Sequence, residues 1–578
     1  MTKLISTLVA FLFISNAIAQ QKTIYIKECP NGEDATPIVV AAIKECKTKK
    51  ATKLVFAKGT YNFLPDLAFE RYVSVSNNDE GLKRFLFDLT GFENLEIDGQ
   101  GSAFIFDGYI CPFLMNSSSQ ITVRNLSIDY KRTFSSEGII TAAYKDSIDV
   151  AFSSAYPYMV SNNKLMFTGE KFVTKDNAGQ PKKEFYPFWH MLEFDASKRE
   201  PMPGLEFLPV QNIVVKELKP GVVRFFYPRL TGTVGNTMLF NAENRQVSAF
   251  TISDSKDINL KSVTIYHAGG MGVIGQRSNN IMLDSVKVIA APGRMGSVCA
   301  DATHFVNCGG QITMQNCVFE SMMDDATNIH GIYVKIVKII SPTEVLVKLI
   351  HYMQYGFDFL VPKEKIEIVE AQSLNTYMEC TVKKSERINK EFTQITLSEP
   401  LSDKVKVGDV IASAQQYPDV LIKNCTMQKN RGRSLLLGSR GKIILENNYF
   451  HSHCASVVFE GDGRFWFEQA GVRDVTIRNN MFENCNYSFM FGLGVIRVGS
   501  GIEEDRKEDS RYNRNILIEN NTFRVFNPCV LSMYSVDNLT YRNNKIEKTT
   551  DYPLLEWFQK MDLKEVMITN SSNINIQK

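Results

Sequence analysis

Short runs in which every second residue is apolar recur along the chain, and most close on Asn or Ser. One copy reads Ile121-Thr-Val-Arg-Asn125 and continues Leu-Ser-Ile128; others are Ile258-Asn-Leu260-Lys-Ser262 and Ile281-Met-Leu-Asp-Ser285. Later copies close on Asn316, Asn424, Asn447, Asn479, Asn520 and Asn543. Alternation with period two predicts strands that bury one face. Ser262 and Ser285, Asn424 and Asn447, and Asn520 and Asn543 all lie 23 residues apart, while other intervals are 31, 32 and 41. A basic spacing with longer variants predicts a solenoid whose loops carry insertions. The apolar face is rich in β-branched residues, and the closing Asn tolerates a left-handed backbone. No leucine-rich or helical repeat accompanies the pattern. The fold expected is all-β: a right-handed parallel β-helix in which stacked Asn side chains bond coil to coil.

Two stretches, 133–247 and 332–416, lack the Asn pattern but keep alternating runs such as Val222-Val-Arg-Phe-Phe226 and Val334-Lys-Ile-Val-Lys-Ile-Ile340. They predict two inserted small β-barrel-like domains. At the other end, Asp34-Ala-Thr36-Pro37 predicts a helix with Thr36 as N-cap and Pro37 in its first turn, running to about Cys46. Such a helix would cover the open edge of the first coil. The domain order expected is therefore a signal peptide over 1–19, cap and first coils over 20–132, an insertion over 133–247, coils over 248–331, a second insertion over 332–416, and coils over 417–578.

Composition narrows the class. Hydrophobic residues are 44% and charged residues 22%, ordinary globular values that exclude a disordered chain or a multi-span membrane protein. A net charge of +2, from 65 basic and 63 acidic residues, gives no basic excess for nucleic acid. Lys3, the apolar stretch over 4–14 and Ala17-Ile-Ala19 read as a signal peptide cut before Gln20, too short to span a membrane. The mature chain is thus expected to be exported to the periplasm or beyond, soluble, without a membrane anchor or a lipid on Gln20. The 11 cysteines recur at one repeat position, in Asn307-Cys308, Asn316-Cys317, Asn424-Cys425 and Asn484-Cys485, as small buried hydrophobes rather than as a disulfide set. His451-Ser-His453 is the one close histidine pair, and no third ligand stands beside it, so no zinc site is expected.

One region departs from the background of hydroxyls and amides. Asp301-Ala-Thr-His304 is echoed by Asp325-Ala-Thr-Asn328, 24 residues on, and Asp324 precedes Asp325. One coil is about that long, so Asp301 and Asp325 should stack at roughly 4.8 Å. Packing does not ask for three carboxylates in one patch, since like charges that close hold one proton to high pH. Glycoside hydrolysis does ask for a protonated acid and an ionised base. A calcium site, or carboxylates lining a turn, is the alternative. Asn328 and His330 follow closely enough to bond sugar hydroxyls, or each other's turn, and His304 shares the first echo. His267 lies about a coil earlier, beside glycines that lack a P-loop lysine. Arg431 and Arg433 could meet the carboxylates or stand as exposed charges. A loop with Glu460, Asp462, Trp466 and Glu468 offers acids and an aromatic surface for a sugar ring.

The series Asp301, Asp324-Asp325, His330-Gly331 resembles that of polygalacturonase-like β-helix hydrolases. More closely, nearly the whole mature chain, with its Cys299-Ala-Asp-Ala-Thr-His-Phe305 and Met323-Asp-Asp-Ala-Thr-Asn328 segments, resembles the exported bacterial α-1,3-galactosidases of glycoside hydrolase family 110. That resemblance implies removal of terminal α-1,3-linked galactose, as in the blood group B antigen, with inversion and with neither metal nor other cofactor. It implies Asp324 as acid, Asp301 and Asp325 as a base pair holding water, and a galactose-terminated oligosaccharide or glycoconjugate as partner. Ala300-Asp301-Ala302 and the short step to His330 depart from the polygalacturonase pattern, and no Arg-x-Lys follows to grip a uronate. A stacking distance of ~4.8 Å is also shorter than the ~6.5–9.5 Å usual between inverting carboxyls. The rival readings are a polygalacturonase-like hydrolase or lyase, and a β-helix glycan-binding protein without catalysis.

Overall fold

A computed structural model describes residues 22–30, 32–78, 81–175, 181–210, 212–469, 471–488, 492–499 and 501–577. The expected signal peptide lies outside them. The alternating runs form parallel strands in which each aliphatic residue meets its own echo. Ile258 pairs with Ile121 on one side and Ile281 on the other. The column continues through Ile312, Val420, Ile443, Val475, Ile516, Leu539 and Ile574. Burying this column is the main favourable term, at roughly 25 cal/mol per Å² of apolar surface. The right-handed β-helix expected from the repeat is thus the fold.

The closing residue of each repeat has the backbone the pattern asks for. Ser262, Ser285, Asn316, Asn424, Asn447, Asn479, Asn520 and Asn543 all have φ between 51° and 57°, the left-handed region. The chain turns there into a second, shorter strand such as Met481–Glu483. Of these asparagines, Asn424 donates to Asn316 at 3.5 Å; the continuous stack belongs to the residue after them. Asn448 donates to the Asn480 Oδ1 at 3.0 Å, Asn480 to Asn521 at 3.0 Å, and Asn521 to Asn544 at 3.0 Å. The first Asn of each pair supplies the turn, and the second, pointing inward, supplies the ladder. Cys425 stands at the head of that ladder, its N–H on the Asn448 Oδ1. All 11 cysteines are free and, Cys29 apart, buried, as the repeat position implied.

The N-terminal helix spans Thr36–Lys49 and buries Val39, Ala42, Ile43 and Cys46 against the first coil. Thr36 is its first residue rather than its N-cap. Ala35 precedes it, and the Asp34 carboxylate accepts the Thr36 N–H at 2.9 Å. The helix ends three residues beyond Cys46, where Lys50 turns left-handed.

Both gaps in the repeat are antiparallel insertions. The second, from Val334–Ser341 to Val410–Ser413, closes as a six-stranded barrel with its own core. The first, from Ser136–Tyr144 to Thr237–Ala242, is an eight-stranded sheet with a three-stranded sheet beside it, and its ring is not closed among the described residues. No described helix is long and apolar enough to cross a membrane.

Candidate active site

A second sheet of the solenoid carries the parallel strands Val273–Gln276, Thr303–Val306, Thr327–Ile332, Leu435–Leu437 and Val457–Phe459. Thr303, Phe305, Thr327 and Ile329 point into the solenoid, where the two threonine hydroxyls meet at 2.9 Å. Alternation then sends His304, Asn328 and His330 outward. The first insertion and the loop bearing Trp466, itself held by His351 and Gln354 of the second insertion, cover that outer side, leaving a cleft of about 300 Å³.

Thr303 pairs with Thr327, and Thr327 with Leu435. The residues two places earlier, Asp301, Asp325 and Arg433, therefore form one column. Asp301 Oδ1 accepts the Asp325 N–H at 3.1 Å. Asp325 accepts the Arg433 N–H at 2.7 Å and its Nε–H at 3.0 Å, with the guanidinium Nη2 2.8 Å from Oδ2. Asp324 faces the other way, 2.7 Å from Arg245 and 3.4 Å from Arg431. Arg431 also pairs with Glu206 at 3.0 Å and lies over the Phe207 ring. Neither Arg431 nor Arg433 is an exposed charge; both are consumed by the carboxylates.

The three carboxyls differ in proton affinity. Burial first, then the Asp324 charge, pushes Asp301 up to about 8. Burial also raises Asp325, to about 7, against the pull of Arg433. Burial acts on Asp324 too, but Arg245, Arg431 and Arg433 outweigh it and hold this carboxyl below the usual range. The open cleft thus keeps one ionised carboxylate beside a pair that retains a proton near neutrality.

Behind Asp301 lies a chain of histidines. His304 Nδ1 is 2.5 Å from Asp301 Oδ2, and its Nε2 is 2.9 Å from His330 Nε2. His330 Nδ1 meets the Gly331 carbonyl at 2.7 Å, and Glu468 lies 3.6 Å away. Both rings are buried; His304 still lines the cleft beside Asp301, and His330 stands behind it. Of the remaining residues singled out from sequence, Asn328, Glu460 and Trp466 line the cleft. Asp462 does not. Its carboxylate is turned into its own loop, accepting the N–H groups of Arg464, Phe465 and Trp466. His267 is structural, accepting the Phe134 N–H at 2.8 Å.

What sequence reasoning missed comes from the first insertion. Trp189, His190, Glu206, Phe207, Asn241 and Arg245 complete the cleft or its charge balance, and none lies in a repeat. Trp189 Nε1, His190 Nδ1, Asn241 Oδ1, Asn328 Oδ1 and Glu460 Oε2 are buried there without a hydrogen-bond partner among the described residues. Buried polar atoms are nearly always paired, so five orphans around one cleft mark a place built for a hydroxyl-rich ligand. No signal in the sequence exposes them except, for Trp189, its rarity among 3 tryptophans.

Oxygens of Asp301, Asp324 and Asp325 lie within 4.8 Å of one another, as do ligand atoms of Glu206, His453 and Cys454. His453 therefore does have company: the thiol of Cys454, next in the sequence, and the carboxylate of Glu206, which no sequence neighbourhood reveals. In both clusters an arginine already supplies the countercharge: Arg245 and Arg433 in the first, Arg431 in the second. Cationic neighbours make both poor cradles for a further cation.

The chain matches three family models: GLAA-B beta-barrel domain I over 136–237, GLAA-B beta-barrel domain II over 344–411, and a right-handed beta helix region over 410–577. It is 35% identical to an alpha-1,3-galactosidase A of Shewanella woodyi over 98% of this chain and 91% of that one. It is 31% identical to an alpha-1,3-galactosidase B of Bacteroides thetaiotaomicron, over 94% and 89%. Among solved structures it is similar to a mannuronan C-5 epimerase A-module of Azotobacter vinelandii, at 9% identity and a TM-score of 0.39 over 94% and 96% of the two chains. An exopolygalacturonase of Thermotoga maritima gives 8% and 0.39, over 91% and 92%. Likeness at that level says nothing of substrate or reaction.

Proposed function

We propose, for a chain that belongs to the family of the alpha-1,3-galactosidases A and B, that this cleft hydrolyses terminal α-1,3-linked galactose, as in glycans of the blood group B type, with inversion at the anomeric carbon. A glycosidase activity on carbohydrate follows from the relatives; the finer terms rest on the cleft. The observation that carries them is the trio of carboxyls with separated proton affinities, ringed by orphaned polar atoms. A volume of about 300 Å³ is at the lower end for small-ligand sites, which suits one terminal sugar ring rather than a threaded polymer.

The roles follow from depth. The side chains of Asp301 and Asp325 are 3% and 2% exposed, that of Asp324 17%. In a site entered by a chain end, the departing sugar points to the mouth and the attacking water to the floor. Asp324 then protonates the glycosidic oxygen, while the Asp301–Asp325 pair orients water and takes its proton. Two carboxyls sharing one proton are suited to hold a water between them. Arg245 holds Asp324 ionised in the open cleft; a sugar hydroxyl that draws Arg245 away raises its proton affinity when the acid is needed.

The test is galactose release from natural and chromogenic α-galactosides, with the anomer of the first product followed by NMR. Release of β-galactose from α-1,3-linked substrates supports the reading. Release of α-galactose overturns inversion, and activity confined to uronates overturns the substrate. Export belongs to the same proposal. Lys3, the apolar stretch and Ala17-Ile-Ala19 support cleavage before Gln20, and N-terminal sequencing of the secreted chain tests it.

A further inference from the structure

We propose that Asp301, His304 and His330 form a one-way hydrogen-bond chain that holds one proton in common, and that His304 and His330 are positioning residues that keep Asp301 neutral and leave Asp325 as the ionised member of the pair. The inference rests on the reading of Asp301 and Asp325 as the water-activating carboxyls and divides the labour between them.

Gly331 anchors the chain. Its carbonyl can only accept, so His330 Nδ1, 2.7 Å away, carries a hydrogen. A neutral His330 then has a lone pair on Nε2. His304 Nε2, at 2.9 Å, must donate to it. A neutral His304 in turn has a lone pair on Nδ1, and the atom 2.5 Å away is Asp301 Oδ2. That contact needs a hydrogen, and only the carboxyl is left to supply it. The other arrangements without a lone-pair clash move this same proton along the chain, to His304 as an imidazolium or on to His330. In each of them the three groups together carry exactly one proton more than an ionised Asp301 with two neutral histidines.

The surroundings decide where it rests. Asp324, Asp325, Arg245, Arg433 and Glu468 are the charged groups that face the chain. Burial opposes a charge on either ring: it is the leading reason that His304 falls to about 4 and that His330 falls as well. The proton therefore rests on the Asp301 carboxyl. Its Oδ1 remains an acceptor for the Asp325 N–H. In the same column, Asp325 is held by Arg433 in the charged form the pairing requires. When water attacks, its proton goes to Asp325, and Asp301 orients the water without exchanging its own. Glu468, 3.6 Å from His330 Nε2 and fixed by Asn77 at 3.2 Å, closes the far end.

Neutron diffraction from deuterium-exchanged crystals of the full chain reads the arrangement directly. The expected result is a deuteron on His330 Nδ1, one between the two Nε2 atoms, and one between His304 Nδ1 and Asp301. A chain with no deuteron between the Nε2 atoms, or none beside Asp301 when His304 Nδ1 is bare, overturns the proposal. This readout stands whatever the substrate proves to be, so it fails separately from the galactosidase reading. Kinetics supply the second test. In His330→Leu, His304 is free to turn an Nδ1–H towards Asp301 and stabilise its ionised form. The alkaline limb of kcat should move down by about one pH unit or more. His330→Gln, whose amide oxygen can accept the same bond, should restore it. A fall in kcat at every pH with the limb unmoved would mean that His330 only packs.

Discussion

The ladder Asn448–Asn480–Asn521–Asn544 and the column Asp301–Asp325–Arg433 are built on the same geometry. A parallel solenoid places each side chain against its own echo, about 4.8 Å away. An amide is both donor and acceptor, so an asparagine stack satisfies itself and can be repeated without limit. A carboxylate only accepts, so its echo repels it. The repeat can carry two in succession only if something outside it supplies a proton or a cation. Here Arg433 caps the column and His304 backs it. A non-self-complementary residue stacked on its echo is therefore a mark of function in such a fold, because packing alone would have removed it.

The largest effect should come from the carboxylate that lies off the column. Asp324→Asn keeps the shape and removes the proton donor. General acid–base steps are worth roughly 10²–10⁴-fold, and the loss should approach that on natural disaccharides, whose sugar alkoxide needs a proton to leave. On an aryl galactoside, whose phenolate leaves unaided, it should be much smaller. Asp301→Asn and Asp325→Asn should slow both substrates alike. A leaving-group dependence in Asp301→Asn and none in Asp324→Asn would exchange the two roles.

Next in size is the loss of the cap. Arg433→Met leaves Asp325 buried without its cation, so burial and the Asp324 charge act unopposed and its proton affinity rises above about 7. The base is then protonated at neutral pH. The acidic limb of kcat should move up by at least one pH unit, and the rate at pH 7 should fall about fivefold or more. An unmoved limb would show that Asp325 is not the group whose ionisation limits the rate.

Sequence patterning made the solenoid legible because a β-helix repeats its instructions. The left-handed turns at Asn447 and Asn479 and the echo of Asp301 in Asp325 are local, periodic facts. It misplaced the ladder by one residue, since both members of each Asn-Asn pair are equally plausible until the inward face is known. The rest of the site was not legible for a physical reason. Arg245, Glu206 and Trp189 reach the cleft from an insertion whose packing on the solenoid leaves no period in the chain. Arg433 was legible only as a possible partner of the carboxylates, because it occupies the next echo of Asp325 but 108 residues later, across the second insertion.

A milder substitution converts one region into the other. Asn480 accepts from the Asn448 backbone and side chain and donates to the Leu445 carbonyl and to Asn521. Asn480→Asp replaces those donated bonds with a carboxylate facing two acceptors. Leaving such partners unsatisfied costs about 1–3 kcal/mol. The aspartic acid can still donate when protonated, so its folded pKa lies above its unfolded one. The stability of the variant should therefore approach wild type at acid pH and be lost as pH rises through that raised value. Urea titrations at pH 4 and pH 8 measure it, and equal destabilisation at both would break the analogy.

The reverse exchange should have the smallest effect and the more telling sign. Asp301 folds with a carboxyl raised from 3.8 to about 8, first by burial. For a raised group, the folded state holds its proton more tightly than the unfolded chain does. The stability this confers is complete below the unfolded pKa and is lost as pH climbs to the folded one, here across roughly pH 4 to 8. Asp325, raised to about 7, contributes a second loss in the same window. Asp301→Asn puts a neutral amide into the column. It removes the first loss outright and leaves the second in place. The variant should match wild type near pH 4 and exceed its Tm at pH 8.5, while releasing galactose more slowly. A variant less stable than wild type at both pH values would mean that the bond from Asp301 to His304 outweighs the charge it buries, and the column would then be held by that bond rather than in spite of the charge.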